Sequence, residues 1–196
     1  MMLVETPIRQ YSRAEYLAQE ETAEYRSEYH NGEIVAMTGG SLNHNQIIIN
    51  LIIALTLPLR EQNYQVYTSD LRLWIPRYNE YTYPDILIIK DEPIFEERRT
   101  DTVINPSIIF EVFSKSTSSR DRGDKFTFYR SLPEFQEYIL IDQYQSHIEQ
   151  FSKTKEGNWL FSESDDEEGI LTLVSANCQI PYRQIYDRVT FEKPTV

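Results

Sequence analysis

Cysteine is nearly absent from this chain of 196 residues, which carries only Cys178. A lone cysteine cannot form a disulfide within the chain, and it cannot build a zinc site of cysteine ligands. We therefore expect a protein of a reducing compartment, the cytoplasm, in which Cys178 is a small buried apolar residue.

Cations are scarce as well. The chain has 19 Lys and Arg against 31 Asp and Glu, for a net charge of −12. Because affinity for phosphate needs clustered positive charge, this balance argues against a protein that coats nucleic acid non-specifically. It leaves open a nuclease with a local basic patch and a metal ion.

Long hydrophobic runs are missing too. The longest apolar stretch lies within residues 46–59 and is interrupted by Asn50, so it is too short and too polar for a membrane span. The opening residues, MMLVETP, lack a basic segment followed by an apolar run, so no signal peptide is predicted. We expect no membrane association and a single domain over residues 1–196.

The pattern of apolar residues predicts alternating helices and strands. Ser12 and Glu15 have the spacing of a capping box, which favours a helix over residues 12–26. Amphipathic spacing predicts further helices over 43–60 and 120–131. Between and after them lie strand-like runs, of which the most apolar are 83–89 (YPDILII) and 107–113 (SIIFEVF). This order predicts an α/β or α+β domain with a curved, mostly antiparallel sheet flanked by helices.

Three features are expected at the surface. The acidic run at 163–168, ESDDEE, predicts a solvated loop because like charges at that density repel. His30 and His147 lie in polar surroundings and are also predicted to be exposed.

Both strongly apolar strands contain a carboxylate. Asp85 begins one run and Glu111 lies inside the other. An ionised carboxylate among apolar residues is costly unless it is paired or bound to a metal. Such a pair offers hard oxygen donors, with no sulfur and little nitrogen. As metal ligands, these donors favour Mg²⁺, Mn²⁺ or Ca²⁺ over zinc.

A basic segment follows directly after Glu111. Residues 115–130 hold five cations and two acids, in an otherwise acidic chain. Within it Asp121, Lys125 and Tyr129 have the spacing i, i+4, i+8, which places them on one helix face. Carboxylates for a metal beside cations for a phosphate are what a phosphodiester substrate requires.

Each of these residues also has a structural interpretation. Asp85 follows Pro84 and can simply begin a strand at the surface. Glu111 can form a salt bridge with Lys125. Asp121 and Lys125 can be an ordinary helical pair that contributes a few tenths of a kcal/mol.

Several segments together are similar to a known family. They are YPDIL at 83–87, FEVFSKST at 110–117, DRGDKFTFY at 121–129, EYILID at 137–142, EYHNGEIV at 28–35, and His44. This combination resembles the Uma-type family of restriction-endonuclease-like proteins, which belongs to the PD-(D/E)XK nuclease superfamily. The resemblance extends over roughly residues 11–151.

The resemblance implies a restriction-endonuclease-like core and a metal-dependent endonuclease activity. Asp85 and Glu111 match the two acids that bind Mg²⁺ (or Mn²⁺). The usual motif lysine is missing, because Phe113 occupies its position. Lys125 on the following helix is our candidate for that role. Lys115 is the alternative, but it lies roughly 13 Å further along the strand at 3.3 Å per residue.

Within the basic segment, Lys115, Arg120 and Arg122 are expected to bind substrate. The expected nucleic acid is DNA, and the resemblance implies a homodimer as the assembly. Secondary candidates for the site are Glu28, His44 and Asp121. The alternative function is a catalytically silent nuclease fold that binds protein or nucleic acid, which the replacement by Phe113 and the acidity of the chain favour.

Overall fold

The structure is a computed structural model that describes residues 9–37, 39–114 and 120–191. Its helices are α1 (Arg13–Glu20), α2 (Leu42–Arg60), α3 (Phe126–Tyr129) and α4 (Tyr182–Ile185), with a 3₁₀ turn at Pro76–Tyr78 and a π-helical turn at Asp121–Lys125 that continues into α3. Its strands are β1 (Ser27–His30), β2 (Glu33–Ala36), β3 (Tyr64–Thr68), β4 (Arg72–Ile75), β5 (Glu80–Thr82), β6 (Ile86–Lys90), β7 (Thr102–Val103), β8 (Ile108–Phe113), β9 (Glu137–Asp142), β10 (Ile148–Lys153), β11 (Trp159–Ser164), β12 (Ile170–Leu173) and β13 (Cys178–Pro181).

A six-stranded sheet forms the centre, in the order β11-β10-β9-β8-β6-β3. Strands β8 and β9 are parallel, and their neighbours in this sheet are antiparallel. Both strands are buried along their whole length, which explains their continuous apolar sequences.

A second sheet of five strands has the order β2-β1-β5-β4-β7, and β12 pairs with β13 in a separate hairpin. The turn between β1 and β2 uses Asn31 and Gly32, which both have positive φ. Residues of these types tolerate that conformation, as the Asn-Gly sequence predicts.

The central sheet packs on both faces. On one face, α2 contributes Ile47, Leu51, Leu55 and Leu59 to a core shared with β6, β8, β9 and the β12–β13 hairpin. On the other face, a second apolar cluster includes Tyr129, Phe135 and Tyr138, with Phe126 packed against it. The second cluster therefore fixes the turn at Asp121–Lys125 and α3 over the strand that carries Glu111.

The predicted fold class, with mixed, mostly antiparallel strands flanked by helices, is confirmed, although the strands divide among separate sheets. The Ser12–Glu15 capping box is present, but α1 ends at Glu20 and not at residue 26. The Glu20 carboxylate is buried and accepts hydrogen bonds from the Ser27 amide (3.0 Å) and the Tyr83 hydroxyl (2.6 Å), so the chain leaves the helix there. Strand β6 begins at Ile86, after Pro84, which has no N–H to donate to a ladder.

Candidate active site

Asp85 lies directly before β6, and Glu111 lies on the neighbouring strand β8, so the predicted adjacency of the two strands is present. The antiparallel register pairs Ile86 with Phe110, so the next positions along the ladder are Asp85 and Glu111. Directly opposite residues of an antiparallel pair point to the same side of the sheet. The Asp85 Oδ2 atom accepts a hydrogen bond of 2.8 Å from the Val112 amide, which anchors Asp85 beside the strand that carries Glu111.

The Glu111 carboxylate is buried and held through one oxygen. Its Oε1 atom accepts hydrogen bonds from Lys125 Nζ at 2.9 Å and from the Tyr129 hydroxyl at 2.7 Å. Lys125 and Tyr129 are four residues apart, on the face predicted from the sequence. The π-helical turn that contains Lys125 leads into α3 without a break, so a single helical segment places both donors over Glu111.

Lys125 lies among carboxylates and not in solvent. Its Nζ atom is 2.9 Å from Glu111 Oε1, 3.2 Å from Asp121 Oδ1 and 4.0 Å from Glu28 Oε1. Burial opposes the charged form, but these three carboxylates raise the pKa of Lys125 well above its ordinary value. We call Asp85, Glu111, Asp121, Glu28 and Lys125 the cleft cluster.

Glu111 binds its proton unusually tightly. Burial raises the pKa of its carboxyl to about 8; Asp85 and Asp121 push it upward, and the Lys125 ammonium opposes them. Two carboxylates that lie close together without a metal repel each other, which raises the pKa of at least one of them. For Glu111, burial is a larger cause than this repulsion.

Glu28 lies on β1, in the five-stranded sheet, and its carboxylate approaches Lys125. Its carboxylate accepts a hydrogen bond from the Thr82 hydroxyl and lies 3.4 Å from Arg120 Nη1 and 3.3 Å from His30 Nε2. Burial alone would raise the pKa of Glu28, but the hydrogen bond to His30 and the charge of Lys125 lower it to about 2.

His30 is not a surface residue, contrary to the prediction. Its imidazole is largely buried between Glu28 and Glu80, and its Nδ1 atom forms a hydrogen bond with Glu80. Burial lowers the pKa of His30, but these two carboxylates outweigh that effect and raise it above 6.5. The hydrogen-bonded pair of His30 and Glu80 therefore lies next to Glu28, and His30 contacts the Glu28 carboxylate.

His44 contacts the other acid. Ser41 caps α2 and accepts a hydrogen bond from the His44 amide (3.1 Å), which places the imidazole at the start of the helix. His44 Nε2 lies 3.2 Å from Asp85 Oδ2. A Cβ atom on Gly40 would lie 2.5 Å from His44 Nδ1, so only glycine lets the chain pass this close to the ring.

The predicted substrate cations have different surroundings. Arg120 contacts Glu28 and His30 and keeps about a third of its side chain exposed. Arg122 donates a hydrogen bond from Nε to Glu149 Oε1 on β10 (2.7 Å), and its Nη2 atom lies 2.6 Å from the same oxygen in an ion pair. Lys115 lies outside the described residues.

The oxygen donors fit a hard divalent cation. Among the described residues, the polar contacts of Glu111 fall on Oε1 and those of Asp85 on Oδ2. Within that set, Glu111 Oε2 and Asp85 Oδ1 have no partner. One or two carboxylates together with water and substrate phosphate are the usual ligands of Mg²⁺.

A second charged cluster lies on the hairpin formed by β10 and β11. Donor atoms of His147, Glu149 and Glu163 there lie within 4.8 Å of one another, the only such trio of His, Cys, Asp or Glu donors in the part of the chain that the structure describes. Asp165 and Arg122 add to it by contacting His147 and Glu149 respectively. We call these five residues the hairpin cluster.

Comparison with known proteins identifies the family. Residues 13–181 match the family model described as "Uma2: Putative restriction endonuclease". The chain belongs to this family. Two uncharacterized proteins of Synechocystis sp. are similar: one is 41% identical over 162 residues, which cover 83% of this chain and 92% of the relative. The other is 34% identical over 154 residues, which cover 79% of this chain and 80% of the relative.

The fold is shared with a solved structure. A crystal structure from Anabaena variabilis, described as a "putative nuclease belonging to DUF820", superposes with a TM-score of 0.74 at 16% sequence identity. The superposition covers 90% of this chain and 98% of that chain. The family and the fold that the sequence motifs indicate are thus confirmed.

Sequence reasoning missed some of the residues that surround the acids. The spacing places Tyr129 on one helix face with Asp121 and Lys125, but the contact of its hydroxyl with Glu111 was not predicted. The His30–Glu80 pair and Thr82 gave no comparable signal, because they come from β1 and β5 of the second sheet.

Proposed function

We propose that this protein is a metal-dependent endonuclease that hydrolyses phosphodiester bonds in DNA and acts as a homodimer. The observation that carries the proposal is the buried Glu111 carboxylate, which Lys125 and Tyr129 hold through one oxygen beside Asp85. Membership in a family described by restriction endonuclease activity supports the same chemistry.

The proposed roles follow from the contacts. Asp85 and Glu111 would hold Mg²⁺ or Mn²⁺, with Glu111 oriented by Lys125 and Tyr129, and Asp85 by the Val112 amide and His44. A divalent cation lowers the pKa of a bound water and offsets charge that develops on the phosphate.

Lys125 would act as a cation and not as a base. Its raised pKa keeps the side chain protonated, so it can donate a hydrogen bond or offset negative charge, but it cannot accept a proton from water. Its position between Glu111 and Asp121 suits that role. It would replace the lysine that the superfamily motif places where this chain has Phe113.

Substrate contact would fall to Arg120, whose guanidinium stays partly exposed beside Glu28, and to Lys115. Arg122 is bound to Glu149, so its contribution would require that pair to open. Glu28, His44 and Asp121 would act as positioning residues, since each contacts a metal-binding acid, Lys125 or Arg120.

The experiment combines metal binding with cleavage. Calorimetric titration of the purified chain with Mn²⁺ should show binding that Asp85→Asn weakens at least about tenfold, which is the effect of losing a ligand or its support. Cleavage of supercoiled plasmid with Mg²⁺ should fall by about 10²–10³ in the same variant. Glu163→Gln, which removes a carboxylate of the hairpin cluster, should match the wild type in cleavage.

The alternative function is a catalytically silent domain that binds nucleic acid or protein. Phe113 at the usual lysine position favours it, as does the engagement of Lys125 by three carboxylates. A wild-type protein that binds no divalent cation and cuts no DNA would establish this alternative. Cleavage that Asp85→Asn leaves unchanged would show that the assigned site is wrong.

A further inference from the structure

The outer face of α2 is apolar and exposed. Leu42, Ile49, Ile53 and Leu57 are 86%, 51%, 69% and 72% exposed. Their spacing of seven, four and four residues places them along one side of the helix. The opposite side is the one that packs into the core, so α2 is apolar on both sides.

This face also lacks charge. The sequence contains no Asp, Glu, Lys or Arg from residue 34 to residue 59, although 26% of the chain is charged. A helix that faces water normally carries charged residues on its outer side. Exposed apolar side chains that form a continuous patch mark an interaction surface.

A groove of about 500 Å³ runs beside the patch, between α2 and the segment that contains α4. It is lined by Asn50, Ile53, Ala54, Arg183, Gln184 and Asp187. Arg183 and Asp187 are exposed and have opposite charge. The only ion pair of Asp187 among the described residues is with Arg188 at 3.8 Å, and both partners are solvent-exposed, so it restrains Asp187 little.

We propose that this face binds a second copy of the same chain through a twofold axis, with α2 packed against α2. A twofold interface brings the same patch together from both copies, so a surface that carries both Arg183 and Asp187 can pair each with the opposite charge on the other copy. Two chains of net charge −12 repel each other. This repulsion is weakest at a face without net charge, where α2 carries no charged residue before Arg60 and Arg183 and Asp187 have opposite charge.

The interface would need both α2 and the segment beside it. A helix of 19 residues is about 28 Å long, and α4 with its flanking residues widens the surface on one side. A stable interface of standard size buries about 800 Å² on each partner. The inference rests on the homodimer of the proposed function and locates its interface; it does not depend on nuclease activity, so loss of the dimer and loss of cleavage are distinguishable outcomes.

A membrane is the less suitable occupant. By length and hydropathy α2 meets the criterion for a membrane-crossing helix, contrary to the expectation from the sequence that this stretch is too short and too polar. However, Ile47, Leu51, Leu55 and Leu59 of that helix are fully buried against the rest of the protein. A helix that lies on a membrane surface instead typically carries Lys or Arg on its polar side, and α2 has no cation before Arg60.

Sedimentation velocity over a range of concentrations tests the proposal on the full chain. We expect the wild type to sediment as a dimer of the 23.2 kDa chain, and Ile53→Glu to sediment as a monomer with an unchanged circular dichroism spectrum. The control is Leu160→Glu on the edge strand β11, where the side chain is 62% exposed and the variant should remain a dimer.

A charge exchange tests the twofold pairing. Arg183→Glu should raise the dimer dissociation constant several-fold, and adding Asp187→Arg to it should restore the wild-type value. A wild type that stays monomeric, or an Ile53→Glu variant that stays dimeric, overturns the proposal. Binding of a monomeric wild type to phosphatidylcholine vesicles would overturn it in favour of a membrane.

Discussion

The cleft cluster and the hairpin cluster are made of similar groups, but the chain assembles them in different ways. In the hairpin cluster, Glu149 and Glu163 lie directly opposite each other across two adjacent strands. His147 lies directly before β10, two residues from Glu149, and Asp165 beside it is 81% exposed. The cleft cluster draws its members from β1, the start of β6, β8 and the helical turn, and most of them are buried.

The comparison shows that proximity of donor atoms does not by itself distinguish a functional site. The hairpin donors lie close together because strand register places them so; Arg122 and His147 pair with the buried Glu149, whereas Glu163 and Asp165 are exposed. In the cleft, burial makes each uncompensated charge costly, so every carboxylate needs a specific partner. The raised pKa of Glu111 follows mainly from that burial, and a buried group with a perturbed pKa and a specific charged partner is a candidate for a functional site.

The largest difference should appear when the cation of each cluster is removed. Lys125→Ala leaves Glu111 and Asp121 as buried carboxylates without their partner, so the free energy of unfolding should fall by about 3–5 kcal/mol. Arg122→Ala removes a side chain that is 41% exposed, and because His147 still contacts the buried Glu149, it should cost only about 1 kcal/mol. Urea denaturation measures both, and equal losses would show that the two clusters are energetically alike.

The next effect concerns the orientation of Glu111. Tyr129→Phe removes a buried hydroxyl that donates to the buried Glu111 carboxyl group, which should cost about 1–3 kcal/mol of stability. It should also lower cleavage about 10–100-fold, as is usual when a group that supports a metal ligand is lost. The matched control is Tyr138→Phe, whose hydroxyl donates to the Asp121 carbonyl (3.0 Å) and not to a carboxylate. If both variants cut DNA equally well, Tyr129 has only a packing role.

A smaller effect is expected where the chain passes His44. Gly40→Ala would force the imidazole away from its position, because the new methyl group would lie 2.5 Å from Nδ1. Asp85 would lose the Nε2 contact, and the affinity for Mn²⁺ should fall several-fold. Gly39→Ala is the control, since a Cβ atom there meets nothing within 4 Å. Calorimetry that gives the same affinity for both variants would show that His44 does not position Asp85.

Local sequence signals predicted the part of the cleft that is local in the chain. Asp121, Lys125 and Tyr129 share a helix face by spacing alone, and two carboxylates in apolar strands indicate a compensated site. The strand order then brings Asp85 beside Glu111, as expected for neighbouring strands. These elements could be predicted because periodicity and burial cost act within short segments.

The rest of the cleft cluster and its surroundings depends on packing between segments that are distant in the sequence. Glu28 and His30 lie in the second sheet, and no spacing in the sequence indicates that β1 approaches the turn at Asp121–Lys125. The sequence predicts that His30 is exposed. It cannot indicate the contact with Glu80, because that partner is 50 residues away in the chain. In the same way, Arg122 belongs to the basic segment by sequence but binds Glu149, which is 27 residues further along the chain.

The smallest expected effect is a pH dependence of stability in the hairpin cluster. Burial lowers the pKa of His147, but hydrogen bonds to Asp165 and Glu149 outweigh it and raise the pKa above 6.5. The folded state therefore binds the proton more tightly than the unfolded chain. The resulting stabilisation is fully present below pH 6.5 and is lost as the pH rises through the raised folded value.

His147→Gln should remove this dependence. The loss of stability relative to the wild type should be larger at pH 5 than at pH 9, by about 0.2–1 kcal/mol, because Asp165 is solvent-exposed and its charge is screened. Urea denaturation of both proteins at the two pH values measures the difference, and Asp165→Asn should reduce it by removing one partner. A difference that is constant with pH, or larger at pH 9, would show that the carboxylates do not hold His147 in its charged form. The hairpin cluster would then lack the electrostatic coupling that its short distances indicate, which would widen its contrast with the cleft.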